Sequence, residues 1–303
     1  MRPFRFGVVH NTADGLHWAD HARRVESEGF STLLVADHYG VPMACGPLIM
    51  AAASATTTLR VGSYVYNNDF RHPALLAKEV ATIDVLSGGR MELGLGAGWV
   101  QSEYEAVGLR FDQPRIRADR FEEAVDVIGR LLAGQTLTHH GSHYHLEKFR
   151  GAPQPAQQRV PMLIGGGAPR MVRLAARRAD IAAFVPRTSS GKIDPDDLGP
   201  TALDKKVDWL ETEIRTCGRD DGGPERSVLL FATSSSRDEV PLRLPWSSAS
   251  DALASPFALM GDTAAMVDTL LERRERWGIS YYVGFGVDID AMIPVVRKLA
   301  STP

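Results

Sequence analysis

Apolar runs of strand length recur in this chain with centres near residues 6, 34, 63 and 93, about 28–30 residues apart, the length of one strand–helix unit. A strand regularly followed by a helix dictates parallel pairing, because each strand must be carried back by a crossover before the next begins. Phe4–Val9, Thr32–Ala36, Leu59–Tyr66 and Met91–Leu95 read as the first four strands. Trp18, Ala22 and Val25, then Leu48–Thr57, then Leu76, Val80 and Ile83 supply the helices between them. Pro73 stands where a first helical turn tolerates it. Phe121, Val125, Ile128 and Leu132 form a long helix after the fourth strand.

The second half repeats the plan with interruptions. Pro161–Gly165, Ile181–Val185, Ser227–Ala232 and Tyr281–Phe285 are strands five to eight. Their helices are Pro169–Arg178, Val207–Ile214, Thr263–Trp277 and the stripe Ile289, Met292, Ile293, Val296. Eight alternations in 303 residues predict one α/β domain over 1–303, a (β/α)8 TIM barrel. A doubly wound open sheet accounts for neither the eight units nor the missing phosphate fingerprint after strand one. Insertions are expected after strands 4, 6 and 7: a hairpin around Gly141 within 135–160, a polar run over 187–200, and a Ser- and Pro-rich segment at 233–262 with no motif. Long connections usually act as lids or binding elements.

Composition narrows the partners. A net charge of −3 gives no reason to expect nucleic acid or an anionic membrane. Cys45 and Cys217 form no metal-ligand spacing and suit a reducing compartment. The opening MRPFRFGVVHN lacks the apolar region of a signal peptide, and no run reaches membrane-spanning length. A cytoplasmic enzyme of a small-molecule substrate is the expectation.

Barrel chemistry sits at the C-terminal strand ends, and those ends are polar here. His10 and Asn11 follow strand one; Asp37 and His38 follow strand two. Asn67, Asn68 and Asp69 lead into Phe70-Arg71-His72-Pro73 after strand three. Histidine exchanges a proton near neutral pH, which suits a shuttle during hydride transfer. Alternation along a strand would turn only one of Asp37 and His38 to the cavity. A helix cap at Asp37 with a packed His38 is the plainer reading.

After strand four, Gly96 and Gly98 bring bare main chain close to something, and the flat face of a ring is one candidate. A Gly-rich turn with Trp99 packed beside it is the other. Trp99 also breaks a G-x-G-x-x-G dinucleotide fingerprint, and Glu103 reads as a helix start. Gly165-Gly166-Gly167 opens a helix and could hold a phosphate, with Arg170, Arg173, Arg177 and Arg178 either adding positive charge or forming a solvated face. In a hairpin, alternation sends neighbours among His139, His140, His143 and His145 to opposite faces, and no Cys, Asp or Glu completes a zinc site there, so no metal is expected. No G-x-S-x-G, H-E-x-x-H or P-loop occurs.

VADHYG at 35–40, the block LRVGSYVYNNDFRHPALLAKEVATIDVLSGGRMELGLGAGWVQSEYEAVG at 59–108 and GISYYVGFG at 278–286 together resemble the bacterial luciferase-like superfamily of flavin monooxygenases and deazaflavin-dependent oxidoreductases. FRHPALLAKE, the hairpin and the chain's ending are most similar to the branch that uses coenzyme F420. The resemblance implies a (β/α)8 barrel, usually dimeric, and hydride transfer between coenzyme F420 and a small organic substrate with an activated C=C, C=O or C=N bond. It implies that Asp37 contacts the coenzyme and that His38 is the acid/base. His72, after strand three, is the second candidate for the proton. Tyr64–Val65 matches a non-proline cis peptide set against the coenzyme ring, Ala97 and Gly98 match the loop beside that ring, and Gly166 and Gly167 match phosphate-binding backbone. Asn67, Trp99 and His10 are expected at the substrate pocket. Sugar-phosphate dehydrogenases of the branch carry Glu where this chain has Trp99, which argues for an apolar wall there. The alternatives are an oxygen-using monooxygenase of reduced FMN and a non-catalytic flavin-binding barrel.

Overall fold

The computed structural model of the chain describes residues 2–11, 15–189, 191–219, 222–236 and 244–300. Its centre is a ring of parallel strands: β1 (Arg5–Val9), β2 (Thr32–Val35), β3 (Arg60–Ser63), β4 (Met91–Gly96), β5 (Met162–Gly166), β6 (Ile181–Phe184), β7 (Glu225–Leu230) and β8 (Ile279–Phe285). They pair in chain order, and β8 returns to β1 with Phe6 opposite Tyr282. Closure removes the open edges a doubly wound sheet would keep. Strand alternation then splits the apolar residues into two shells. Val9, Leu34, Tyr64, Leu163, Ala183, Leu229 and Val283 fill the interior. Phe6, Val8, Leu33, Val35, Val61 and Leu93 face the helices.

Those helices are α1 (Trp18–Ser27), α2 (Cys45–Ala55), α3 (Pro73–Leu86), α4 (Gln101–Ala106), α5 (Pro114–Leu132), α6 (Pro169–Arg178), α7 (Pro200–Thr216), α8 (Ala249–Ala254), α9 (Thr263–Trp277) and α10 (Ile289–Leu299). Pro opens α3, α5, α6 and α7, where its missing N–H costs nothing. At the N-terminal end of the barrel, fully buried Glu92 accepts from the Tyr281 hydroxyl at 3.1 Å and pairs with Arg5 at 2.9 Å. The Arg5 guanidinium covers the Tyr281 ring, 4.1 Å from its centroid.

The hairpin forms as expected, Thr136–His140 against His145–Arg150. Its place corrects the sequence reading: it follows α5 and sits in a helix-to-strand connection, so no residue of 136–150 lines the cavity described below. Its tip reaches back to the strand ends, where Asn68 Nδ2 donates to the Tyr144 hydroxyl at 3.0 Å. After β6, Thr188–Ser189 pairs with Lys192–Ile193. After β7, Ala232–Ser234 pairs with Ala258–Met260, and α8 lies between them. Residues 237–243 of the 233–262 segment lie outside the described residues.

Candidate active site

β2 ends at Val35, so the alternation that would send Asp37 and His38 to opposite faces stops before them. Both line one cavity of about 690 Å³ at the C-terminal strand ends, which corrects the expectation of a single inward residue. Asp37 is anchored. Arg71 donates to its carboxylate at 2.6 and 3.1 Å, and the Asn67 main-chain N–H adds a third bond at 3.0 Å. Burial alone would lower the Arg71 pKa, but the hydrogen bonds and charge of Asp37 raise it. Asp37 caps no helix.

His38 faces Glu103, with Nδ1 2.9 Å from Oε2, while Glu103 Oε1 accepts from the Gly40 N–H at 3.1 Å. An ionised carboxylate only accepts, so Nδ1 carries the proton and Nε2 keeps its lone pair in the neutral ring. The Trp99 indole stands edge-on to the imidazole, 6.2 Å between centroids. Glu103 was missed as a partner by sequence reasoning. It does open a helix, in the first turn of α4, and that turn aims it at His38. Its place four residues after Trp99 was the only signal.

The Tyr64–Val65 peptide is cis, and both residues line the cavity. Tyr64 is buried, which pushes its phenol above the ordinary range. The glycines nearby behave differently from expectation. A Cβ on Gly96 would come within 2.7 Å of Val65 Cγ2. One on Gly98, whose φ is +74°, would strike the Tyr104 hydroxyl and lie 2.8 Å from Asn67 Oδ1. Their bare Cα atoms therefore admit protein neighbours, and no ring is needed to explain them. Ala97 and Gly98 still present backbone to the cavity beside Trp99. Asn67 lines it too, its Oδ1 accepting from Tyr104 and from the Asp69 N–H at 3.0 Å each.

Opposite lie Gly166 and Gly167, at the start of α6. A Cβ on Gly167 would sit 2.6 Å from the Arg187 main-chain nitrogen, so only glycine lets these two loops touch. Of the four arginines on α6, Arg170 alone lines the cavity. It is held by Asp119 at 2.6 Å and Glu122 at 2.7 Å, while Arg177 and Arg178 bridge to Glu213 and Asp126. Interhelical pairing explains those three.

Two candidates fall elsewhere. His72 caps α3, accepting from the Ala74 N–H at 3.2 Å, and its exposed ring meets Tyr144 edge-on. His10 lies tilted against His21, 4.3 Å between ring centroids, beside Gly286 and away from the cavity. A strand-end position does not fix where a side chain points. Burial lowers the His10 pKa, and burial, His10 and Arg24 together bring His21 down to about 4.

The profile described as luciferase-like monooxygenase matches residues 5–192 of this chain. An F420-dependent glucose-6-phosphate dehydrogenase of Microbacterium testaceum is 32% identical over 204 residues, 65% of this chain and 58% of that protein. A 5,10-methylenetetrahydromethanopterin reductase of Archaeoglobus fulgidus is 32% identical over 198 residues, 63% of this chain and 57% of that protein. The chain thus spans about three fifths of the length of these curated relatives. An F420-dependent secondary alcohol dehydrogenase, solved with an F420–acetone adduct, superimposes with a TM-score of 0.81 over 98% of both chains at 18% identity. A long-chain alkane monooxygenase does so with 0.76 over 99% of this chain and 91% of that one, at 16% identity. Both structural likenesses concern the fold.

Proposed function

Because the chain belongs to the luciferase-like monooxygenase family, we propose that it binds coenzyme F420 in the barrel mouth and exchanges hydride between it and a small organic substrate. The observation that carries this reading is one cavity shared by an apolar, backbone-rich ledge and an acid/base pair. Val65, Ala97 and Gly98 form the ledge, and His38 with Glu103 stands beside it. The residues fit the coenzyme. A cavity of about 690 Å³ is ample for a ring system, and the first turn of α6 offers main-chain N–H groups to a phosphate. The curated relatives named for coenzyme F420 support the deazaflavin over FMN.

When bound, the reduced coenzyme supplies a hydride from carbon 5 of its ring. Val65 and the Ala97–Gly98 backbone would hold that ring. His38 accepts the accompanying proton at Nε2 when substrate is oxidised, and gives it up from the protonated ring when substrate is reduced, because Glu103 holds the other nitrogen protonated. Asp37, tied to Arg71, is a fixed acceptor on the ledge. Trp99 screens the imidazole from water on one side.

Fluorescence titration of the purified chain with reduced coenzyme F420 and with reduced FMN tests the reading. Saturable binding of the deazaflavin, tighter than that of FMN, is expected. Binding of FMN alone would move the assignment to an oxygen-using monooxygenase, and binding of neither to a non-catalytic barrel.

A further inference from the structure

We propose that Asn67 is a fixed hydrogen-bond donor of this cavity, its Nδ2 amide set to hold a carbonyl oxygen, either a ring carbonyl of the coenzyme or the carbonyl of a substrate. The first source rests on the reading that a deazaflavin lies on the ledge; the second does not. Asn67 lines the cavity, is only 7% exposed, and donates its main-chain N–H to Asp37 Oδ2 at 3.0 Å. Its neighbours decide which way the amide points. Oδ1 lies 3.0 Å from the Asp69 main-chain nitrogen and 3.0 Å from the Tyr104 hydroxyl oxygen. A backbone N–H can only donate, so the atom it meets is the amide oxygen. Turning the amide over would set its NH2 group against that N–H and leave two buried donors face to face. Among the described residues Nδ2 has no hydrogen-bond partner, yet it is not sealed from solvent, and the open space that Asn67 borders is the cavity.

The donor is also held still. Asn67 caps the single 3-10 turn over Asn68–Phe70. Asp69, inside that turn, receives Arg120 Nε at 2.7 Å and Nη2 at 2.8 Å, and Tyr104 is fully buried on α4. The turn after β3 and the helix after β4 thus fix one amide from two directions before a ligand arrives, so binding has little left to order. A carbonyl oxygen offers its lone pairs to such a donor without needing a counter-charge. A ligand of the same shape with no oxygen there would leave the amide unpaired, and that penalty is what makes the position selective.

Calorimetric titration of the purified chain tests this in the wild type and in two variants, with thermal melts beside it. Asn67→Asp keeps the oxygen that Asp69 and Tyr104 hold and turns the donor into an acceptor. Asn67→Ser keeps an oxygen for the Asp69 N–H but is too short to reach the cavity, and it carries the test if the first variant does not fold. Coenzyme F420 is one probe. Cyclohexanone is the other, titrated with and without the coenzyme against methylenecyclohexane, which has its shape without the oxygen. A loss of about tenfold is expected in one arm. A loss for coenzyme F420 assigns the oxygen to the coenzyme ring; a loss for cyclohexanone, down to the level of methylenecyclohexane, assigns it to a substrate. Losses below about threefold in both arms overturn the proposal, as does a wild type that binds neither probe. Failure of coenzyme F420 alone to bind the wild type overturns the cofactor reading instead, and the cyclohexanone arm without coenzyme then decides.

Discussion

Glu103 Oε2 lies 2.9 Å from His38 Nδ1, across 65 positions of sequence, and the same carboxylate also holds the Gly40 N–H. One side chain thus fixes both the proton on the imidazole and the turn that carries it. Glu103→Gln can donate to Nδ1 instead, which would shift the ring proton to Nε2. Turnover is expected to fall on the order of 100-fold. Coenzyme affinity should stay within about twofold, since only the proton-handling group changes. His38→Ala should give a similar loss, and the double variant little more, as expected of two residues acting as a unit. Steady-state kinetics beside a coenzyme titration reads this; losses that multiply would separate the two residues.

Arg71→Ala would leave the Asp37 carboxylate, only 9% exposed, without its cation. Breaking a buried pair from one side costs about 3–5 kcal/mol. Urea unfolding should show that loss, and Asp37→Asn in the same chain should recover part of it.

Gly98→Ala puts a methyl group at φ +74° against Tyr104 and Asn67, behind the ledge. A loss of about 1–3 kcal/mol in stability is expected. Coenzyme affinity, measured where the variant is folded, should change less than about threefold, because the methyl group points away from the ledge. Normal stability with abolished binding would show that the added methyl group meets the ring after all.

Acid should weaken the fold in two steps. His21, buried against His10 and near Arg24, has a pKa of about 4 against an ordinary 6.5. The unfolded chain therefore protonates first, so this contribution is complete above pH 6.5 and is lost as pH falls toward 4. Glu26 is lowered from 4.5 to about 2: burial opposes the shift, but the N–H groups of Thr58, Leu59 and Thr57 outweigh it. Its contribution is complete above 4.5 and fades below. Urea midpoints across pH should show a smaller upper step in His21→Phe, with His10 keeping part of it, and a smaller lower step in Glu26→Ala, where other paired carboxylates such as Asp112 and Glu123 still contribute.

The barrel was legible because each strand–helix unit carries its own pattern over about 30 residues. The side chains that finish the site were less so. Glu103 and His38 meet only after β2, β3 and β4 have paired, and Arg71 meets Asp37 once β2 and β3 have. Gly96 and Gly98 announced a close approach without saying to what; the answers, Val65 and Tyr104, depend on tertiary contact. His10 and His72 were proposed from strand-end position alone, and contact with the His21 ring and capping of α3 turned them elsewhere. The hairpin's residues were plain, but its role was not, because α5 comes before it in the chain.

Arg5, Glu92 and Tyr281 pack together at the N-terminal end of the barrel. Among the described residues the cavity is lined at the opposite end, by the C-terminal strand termini. A guest resting on the ledge is therefore expected to come and go on that side, and two guests to leave in the reverse of the order in which they arrived.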